Sequence, residues 1–180
     1  MRVVAGKYRH RIIKMTQLET TRETQDKVRG AIFNMIGPYF DGGSALDLFA
    51  GSGAMGIEAV SRGIEEVCFN DIEPKAIAIA KENCQSLGIQ QAHFFNMDYA
   101  SFLRSTQQKW NIIFLDPPYK MTEVCDILAA VLPCLLEKGR VIFELARETA
   151  YPTELEGLVL LKNKEYGIKR VLVYELKGGI

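Results

Sequence analysis

Leu46-Asp47-Leu48-Phe49-Ala50-Gly51-Ser52-Gly53-Ala54-Met55-Gly56 decides the fold. Residues 45–49 form a short, mostly apolar run, and Gly51, Gly53 and Gly56 follow at G-x-G-x-x-G spacing. Residues from Ala54 to about Ser61 favour a helix. A strand that turns tightly into a helix is the first unit of an open α/β sheet, which binds ligands at its carboxyl end. The glycines let backbone approach a ligand closely. The helix start adds unpaired N–H groups and the positive end of a dipole. The same spacing occurs in strand–helix turns that bind nothing, so its meaning depends on the surrounding chain.

Downstream, residues 66–70, 92–96, 111–115 and 140–145 read as further strands. Helices are expected over 74–87, from about Tyr99, and over 122–132. Near-continuous apolar strands alternating with helices mean a parallel sheet covered on both faces. Residues 158–162 and 170–174 have no helix between them and read as an antiparallel pair at one edge. Upstream, residues 2–5 and 11–14 flank a turn at Gly6-Lys7-Tyr8 as two short strands. A polar loop over 16–23 leads into a helix, capped by Thr24 or a neighbour and reaching about Ile36. Gly37-Pro38 ends it.

Asp71, just past the strand that ends at Asn70, suits ribose hydroxyls, with Glu73 as a second candidate. The glycine turn and this carboxylate indicate an adenosine-type cofactor but leave NAD and S-adenosylmethionine both open. Asp47 favours the second. A carboxylate inside an apolar strand costs several kcal/mol (order of magnitude) unless it is paired. A cationic sulfonium with an ammonium nearby supplies a partner, whereas a diphosphate would be repelled. Asp47 also suits a plainer part, accepting N–H groups of the glycine turn.

Asp116-Pro117-Pro118-Tyr119 directly follows the fourth strand. Two prolines stiffen the loop and remove two donors while keeping their carbonyls as acceptors. An exocyclic base amine is a poor nucleophile because its lone pair is delocalised into the ring. The Asp116 carboxylate and the Pro117 carbonyl, accepting its two N–H groups, would localise that pair. Tyr119 would stack on the base, worth about 1–3 kcal/mol. A base held this way must leave its stack. A proline-stiffened loop with a surface tyrosine is the plainer reading.

The chain has 180 residues, 48% hydrophobic and 24% charged, which suits one domain with one core. No apolar run approaches the roughly 20 residues of a spanning helix, and no signal-peptide pattern opens the chain. A cytoplasmic location is expected. Cys68, Cys84, Cys125 and Cys134 form no C-x-x-C pair, and His10 and His93 are the two imidazoles, so no metal site is expected. With 22 basic and 22 acidic residues, the chain lacks the overall positive charge typical of nucleic-acid binders. The first 14 residues hold Arg2, Lys7, Arg9, His10, Arg11 and Lys14 and no acid, a local basic face that suits phosphates. Arg29, Arg62 and Arg104 read as solvated charges, Trp110 as packing and His93 as structural. Tyr8 suits either stacking or packing.

These residues together resemble the bacterial small-subunit ribosomal RNA guanine-N2 methyltransferases of the RsmD type. The resemblance runs through residues 2–7, 21–29, 31–34, 46–54, 58–63 and 114–119. The glycine turn and Asp-Pro-Pro-Tyr are shared by many amino-methyltransferases. The basic N-terminal segment and the Thr21-Arg22 segment are more specific. The family usually reads Thr-Arg-Pro-Thr where this chain has Thr21-Arg22-Glu23-Thr24.

The resemblance implies a Rossmann-like class I S-adenosylmethionine-dependent methyltransferase. Its sheet would have seven strands with one antiparallel, preceded by an N-terminal β-hairpin and helix. Residues 1–40 would form the RNA-contacting extension and 41–180 the catalytic domain. It implies S-adenosylmethionine held by Asp47, Phe49, Ala50, Gly51, Ser52, Gly53, Asp71, Ile72, Asp98 and Tyr99, with Asp98 at the adenine amine. Asp116, Pro117, Pro118 and Tyr119 would be catalytic, and Arg2, Lys7, Arg9, Arg11, Arg22 and Thr24 would face RNA. The family's usual product is one N2-methylguanine, at guanine 966 of 16S rRNA, made on assembled or partly assembled small ribosomal subunits. A monomer is expected. The competing readings are a DNA adenine-N6 methyltransferase, an NAD-dependent oxidoreductase and a non-catalytic RNA-binding module. The first needs a target-recognition segment that nothing here is long enough to supply. The second lacks an evident hydride-transfer acid or base, and the intact Asp71 and Asp116 oppose the third.

Overall fold

The structure, a computed structural model, describes residues 1–16 and 22–178, and of residues 22–25 the backbone alone. Five strands, β1 (Ser44–Asp47), β2 (Glu66–Asn70), β3 (Ala92–Phe95), β4 (Trp110–Leu115) and β5 (Leu135–Ala146), run parallel. Between them lie α2 (Ala54–Ser61), α3 (Pro74–Leu87), α4 (Tyr99–Ser105) and α5 (Val124–Val131), and α1 (Arg22–Ile36) precedes the sheet. A single 3-10 turn, Leu132–Cys134, joins α5 to β5. Strands β6 (Glu154–Leu155), β7 (Leu158–Tyr166) and β8 (Lys169–Leu176) complete the order β3-β2-β1-β4-β5-β8-β7-β6.

The sheet therefore has eight strands and two reversed ones, β8 and β6, rather than seven with one reversed. The extra strand is two residues long and folds back on β7 at Gly157, whose φ is 81°. Two residues carry no readable alternation. β5 begins five residues before the apolar run, because Lys138 at φ 57° and Gly139 let the chain enter the sheet through a register shift opposite Trp110 and Ile112.

Alternation along the strands sorts the core. Ala45, Ile112, Phe114, Ile142, Val171 and Val173 face a cluster that α1, α2 and α3 cover with Ile32, Phe33, Ile57 and Cys84. Leu46, Leu48, Ile113, Leu115, Phe143 and Leu172 face the other cluster, under Phe102 of α4 and Val124, Ile127 and Leu128 of α5. Trp110 is fully buried in this second cluster, as packing requires.

The N-terminal strand pair reduces to one antiparallel bridge, Arg2 to Ile12. Its backbone is shared between itself, with Val3 N–H on the Arg11 carbonyl, His10 N–H on the Val3 carbonyl and Ile13 N–H on the Met1 carbonyl, and α2. The Glu58 carboxylate accepts the Val4 and Ala5 N–H groups at 2.8 and 3.0 Å. The Ser61 carbonyl accepts from Lys7 N–H and the Ser61 hydroxyl from Tyr8 N–H. A Cβ at Gly6 would lie 1.8 Å from that carbonyl. Tyr8 packs in the first cluster. Arg29 and Arg62, expected in solvent, are buried. Both reach the fully buried Glu58, at 3.3 and 2.8 Å. A buried carboxylate needs such partners.

Helix α2 meets β2 closely. A Cβ at Gly56 would stand 2.4 Å from the Phe69 ring and 2.8 Å from a Val67 methyl. Gly56→Ala is expected to lose about 1–3 kcal/mol through overpacking. Thermal melting at or above the wild-type temperature would contradict this close approach.

Candidate active site

The first turn is built on the end of β1. Asp47 is 3% exposed, and its Oδ2 accepts the Gly56 N–H at 3.0 Å. Gly51 (φ 53°) and Gly53 (φ 81°) take the left-handed backbone the turn needs, and Gly53 N–H closes it on the Ala50 carbonyl. Burial pushes the Asp47 carboxyl well above the usual range. The Gly56 N–H opposes that shift, while Asp116, Asp71 and Glu144 add to it. Four carboxylates thus act on one electrostatic neighbourhood.

The second turn leans on the first. Asp71 Oδ2 accepts Gly51 N–H at 2.8 Å and Oδ1 accepts Glu73 N–H at 2.9 Å. The Asn96 amide donates to the Asp71 and Ile72 carbonyls, and the buried Asn70 amide to those of Leu48 and Met97. Ile72 stays exposed beside Asp71. Asp98 caps α4 by accepting Ser101 N–H at 3.0 Å, and its hydrogen bonds to Ser101 hold its pKa below the usual range. Tyr99 lies against Phe49, ring centroids 5.5 Å apart. Phe49, Ala50, Ser52, Ile72, Asp98 and Tyr99 therefore cluster with the Asp47 and Asp71 turns at one end of the sheet.

The third turn leaves β4, the neighbour of β1, whose Asp47 is level with Phe114. Asp116 lies two residues further on, beyond the same edge, and is 46% exposed at its side chain. Pro117 is buried, the Pro118 carbonyl accepts Met121 N–H, and Tyr119 stands 54% exposed. Lys169 of β8 reaches this corner, its Nζ 3.2 Å from Glu144 Oε2 and 3.9 Å from Asp116 Oδ2. Sequence reasoning missed Glu144, Lys169, Asn70 and Asn96.

The basic residues are not gathered with these turns. Lys7 sits beside Ser61, the far end of α2, roughly 10 Å of helix from the glycines, and Arg9 follows in the same turn, its N–H on the Gly6 carbonyl. Arg11 donates to the Ser86 carbonyl at the end of α3, while Arg2 is exposed at its bridge to Ile12. The side chains of Arg22 and Thr24 lie outside the described residues.

A monocationic ligand suits the acidic surroundings of the first two turns, and a diphosphate does not. Parallel strands in this order, a reversed strand β8 inserted between β5 and β7, and an acidic glycine turn define the Rossmann-like fold of class I S-adenosylmethionine-dependent methyltransferases. A family model described as "Conserved hypothetical protein 95" matches residues 1–175, and the chain belongs to that RsmD-like family. It is 40% identical to the Bacillus subtilis protein YlbH, named as an rRNA methyltransferase candidate, over 99% of this chain and all of that one. It is 31% identical to ribosomal RNA small subunit methyltransferase D of Haemophilus influenzae, over 97% of this chain and 93% of that one. The solved structure of yhhF, a methyltransferase candidate from Escherichia coli, superposes with a TM-score of 0.88 at 26% identity, covering 99% of each chain.

Proposed function

We propose that this chain is an S-adenosylmethionine-dependent rRNA methyltransferase that modifies the exocyclic N2 amine of one guanine in 16S rRNA, with position 966 as the expected site. The carrying observation is that Asp47 and Asp116 end adjacent parallel strands at one sheet edge. The names of the relatives support the RNA substrate. Bound S-adenosylmethionine supplies an electrophilic methyl carbon on a sulfonium. Asp47 and the 51–53 backbone would hold its amino-acid end, Asp71 its ribose, and Ile72, Asp98 and Tyr99 its adenine.

Asp116 and the Pro117 carbonyl would accept the two amine N–H groups and orient the nitrogen lone pair toward the methyl. The nitrogen would take the methyl from the sulfonium in a single displacement, and Asp116 or water would take the amine proton. Alignment is the main contribution. Tyr119 is exposed where a base would stack. Residues 1–40 would carry RNA contacts and 41–180 the chemistry.

Tritiated methyl transfer to small subunits from cells lacking the gene, followed by mapping of the labelled base, tests this reading. Label on guanine N2 is expected. Label on DNA adenine instead would replace it with the DNA reading, and no transfer to any nucleic acid would end it. Replacing Arg9 and Arg11 by Gln is expected to weaken substrate binding. It should also flatten the slope of log K against log salt by roughly 1.4–1.8 if both touch phosphate. An unchanged slope removes the case for the N-terminal loop.

A further inference from the structure

Three loops surround the expected cofactor, one each from β1, β2 and β3, and β2 lies between the other two. No ladder bond can therefore join the end of β1 to the end of β3, which stand two strand spacings apart, about 10 Å. Asn70, the last residue of β2, is level with Phe95, and its carbonyl accepts Ala50 N–H at 3.0 Å. It is 1% exposed. Its side-chain amide reaches both ways, donating to the Leu48 carbonyl at 3.3 Å and to the Met97 carbonyl at 3.0 Å. Leu48 leads into the glycine turn, and Met97 precedes Asp98 and Tyr99.

Both of these neighbours are carbonyl oxygens, so the nitrogen of the amide must face them. The Asn70 Oδ1 is left buried, with no hydrogen-bond partner among the described residues. A stranded acceptor is a cost that an apolar side chain of similar size avoids. What the residue returns is the pair of donated bonds. The other hydrogen bonds among these loops join one neighbour to the next. Asp71 Oδ2 accepts Gly51 N–H, and the Asn96 amide donates to the Asp71 and Ile72 carbonyls. The Phe49 and Tyr99 rings also meet across the outer gap. Ring contacts tolerate a wide range of separations, whereas two hydrogen bonds from one planar group fix a distance.

We propose that Asn70 is a positioning residue that sets the span between the glycine turn and the 97–99 loop, so that both halves of S-adenosylmethionine engage at once. The proposal rests on the cofactor placement above, with the amino-acid end at Asp47 and residues 51–53 and the adenosine at Asp71, Ile72, Asp98 and Tyr99. A ligand held at two linked places gains from the second only when the distance between them matches its own length. A change in span therefore weakens the whole cofactor far more than an adenosine fragment, which stays on one side of the gap. Asn96 ties together the adenosine side alone, so its loss weakens whole and fragment alike. Asn70 is assigned no contact with the cofactor.

The test compares wild type with Asn70→Leu, Asn70→Ser and Asn96→Ala. Titration calorimetry reads the affinity for S-adenosylhomocysteine, NMR titration to millimolar concentration reads that for adenosine, and thermal melting reports folding. Asn70→Leu is expected to weaken S-adenosylhomocysteine at least about tenfold and adenosine at most about twofold. Asn70→Ser, which keeps one donor, should show the same preference to a smaller degree. Asn96→Ala should weaken both ligands by one factor, to within about twofold. A proportional loss of both ligands in Asn70→Leu overturns the proposal, as does S-adenosylhomocysteine affinity within about twofold of wild type. A selective loss in Asn96→Ala as large as that in Asn70→Leu overturns it too, by moving control of the span to Asn96. If Asn70→Leu fails to fold, Asn70→Ser decides by the same ratio. Failure of both to fold also overturns it, since the amide then serves folding. Wild type that fails to bind one or both ligands would instead fail the cofactor placement and take this inference with it.

Discussion

Asp116→Ala is expected to reduce methyl transfer by at least about 100-fold while leaving cofactor affinity nearly unchanged. The separation follows from position. Asp47 and Asp71 carry the hydrogen bonds that build the first two turns, to Gly56, Gly51 and Glu73. Asp116 lies on the next strand, past the paired register, with nearly half its side chain in solvent. Its loss leaves the glycine turn standing and removes one negative charge from the neighbourhood of Asp47. Asp116→Asn keeps a carbonyl acceptor and should retain more rate than Asp116→Ala. Calorimetry with S-adenosylmethionine alongside a single-turnover assay reads both quantities. A parallel collapse of affinity and rate would move Asp116 from the chemistry into the cofactor site.

Asp47→Asn is expected to weaken S-adenosylmethionine binding by at least about tenfold and to raise the melting temperature of the ligand-free protein at pH 8. The asparagine carbonyl still accepts the Gly56 N–H, so the turn survives. The Asp47 carboxyl is raised in the folded chain, chiefly by burial. A folded pKa above the unfolded one means the native state binds the proton more tightly. Ligand-free stability therefore falls as pH climbs from about 4 through the raised value, and the whole penalty is carried above it. The substitution removes that penalty, so its advantage in melting should shrink as pH approaches about 4. A cationic ligand favours the ionised form, so wild-type affinity should strengthen across the same rise in pH. A destabilised Asp47→Asn at pH 8 would mean the carboxylate is fully paired without any ligand.

The elements nearest the glycine turn were legible because their signals are local. Ala54–Ser61, Glu66–Asn70 and Pro74–Leu87 fall where apolar period, glycine and proline put them. Asp47 and Asp116 were legible because a charge inside or at the end of an apolar strand stands out. Glu144 carries the same signal within Val141-Ile142-Phe143 and was passed over because no turn motif follows it. Lys169 had no signal at all, since its place comes from the pairing of β5 with β8. Arg29 and Arg62 were misread for the same reason. Their partner Glu58 lies on a different helix from Arg29, and Arg62 is buried against the Pro38 carbonyl and the Phe33 ring, which tertiary packing of α1 and the segment after it brings to it. β6 and the first part of β5 were set by a turn glycine and a register shift rather than by composition.

The loop at the start of the chain is wired to the cofactor half of the molecule. Glu58 and Ser61 hold it from one side, and the buried Asn83 amide joins both Lys14 and the Ser52 carbonyl. For anyone grafting this loop onto a homologous scaffold to retarget it, the transplantable unit is discontinuous. Residues 1–16 would need Arg29, Glu58, Ser61, Arg62 and Asn83 to travel with them. A donor segment moved alone would carry the Val4, Ala5 and Lys14 N–H groups into the host without their acceptors.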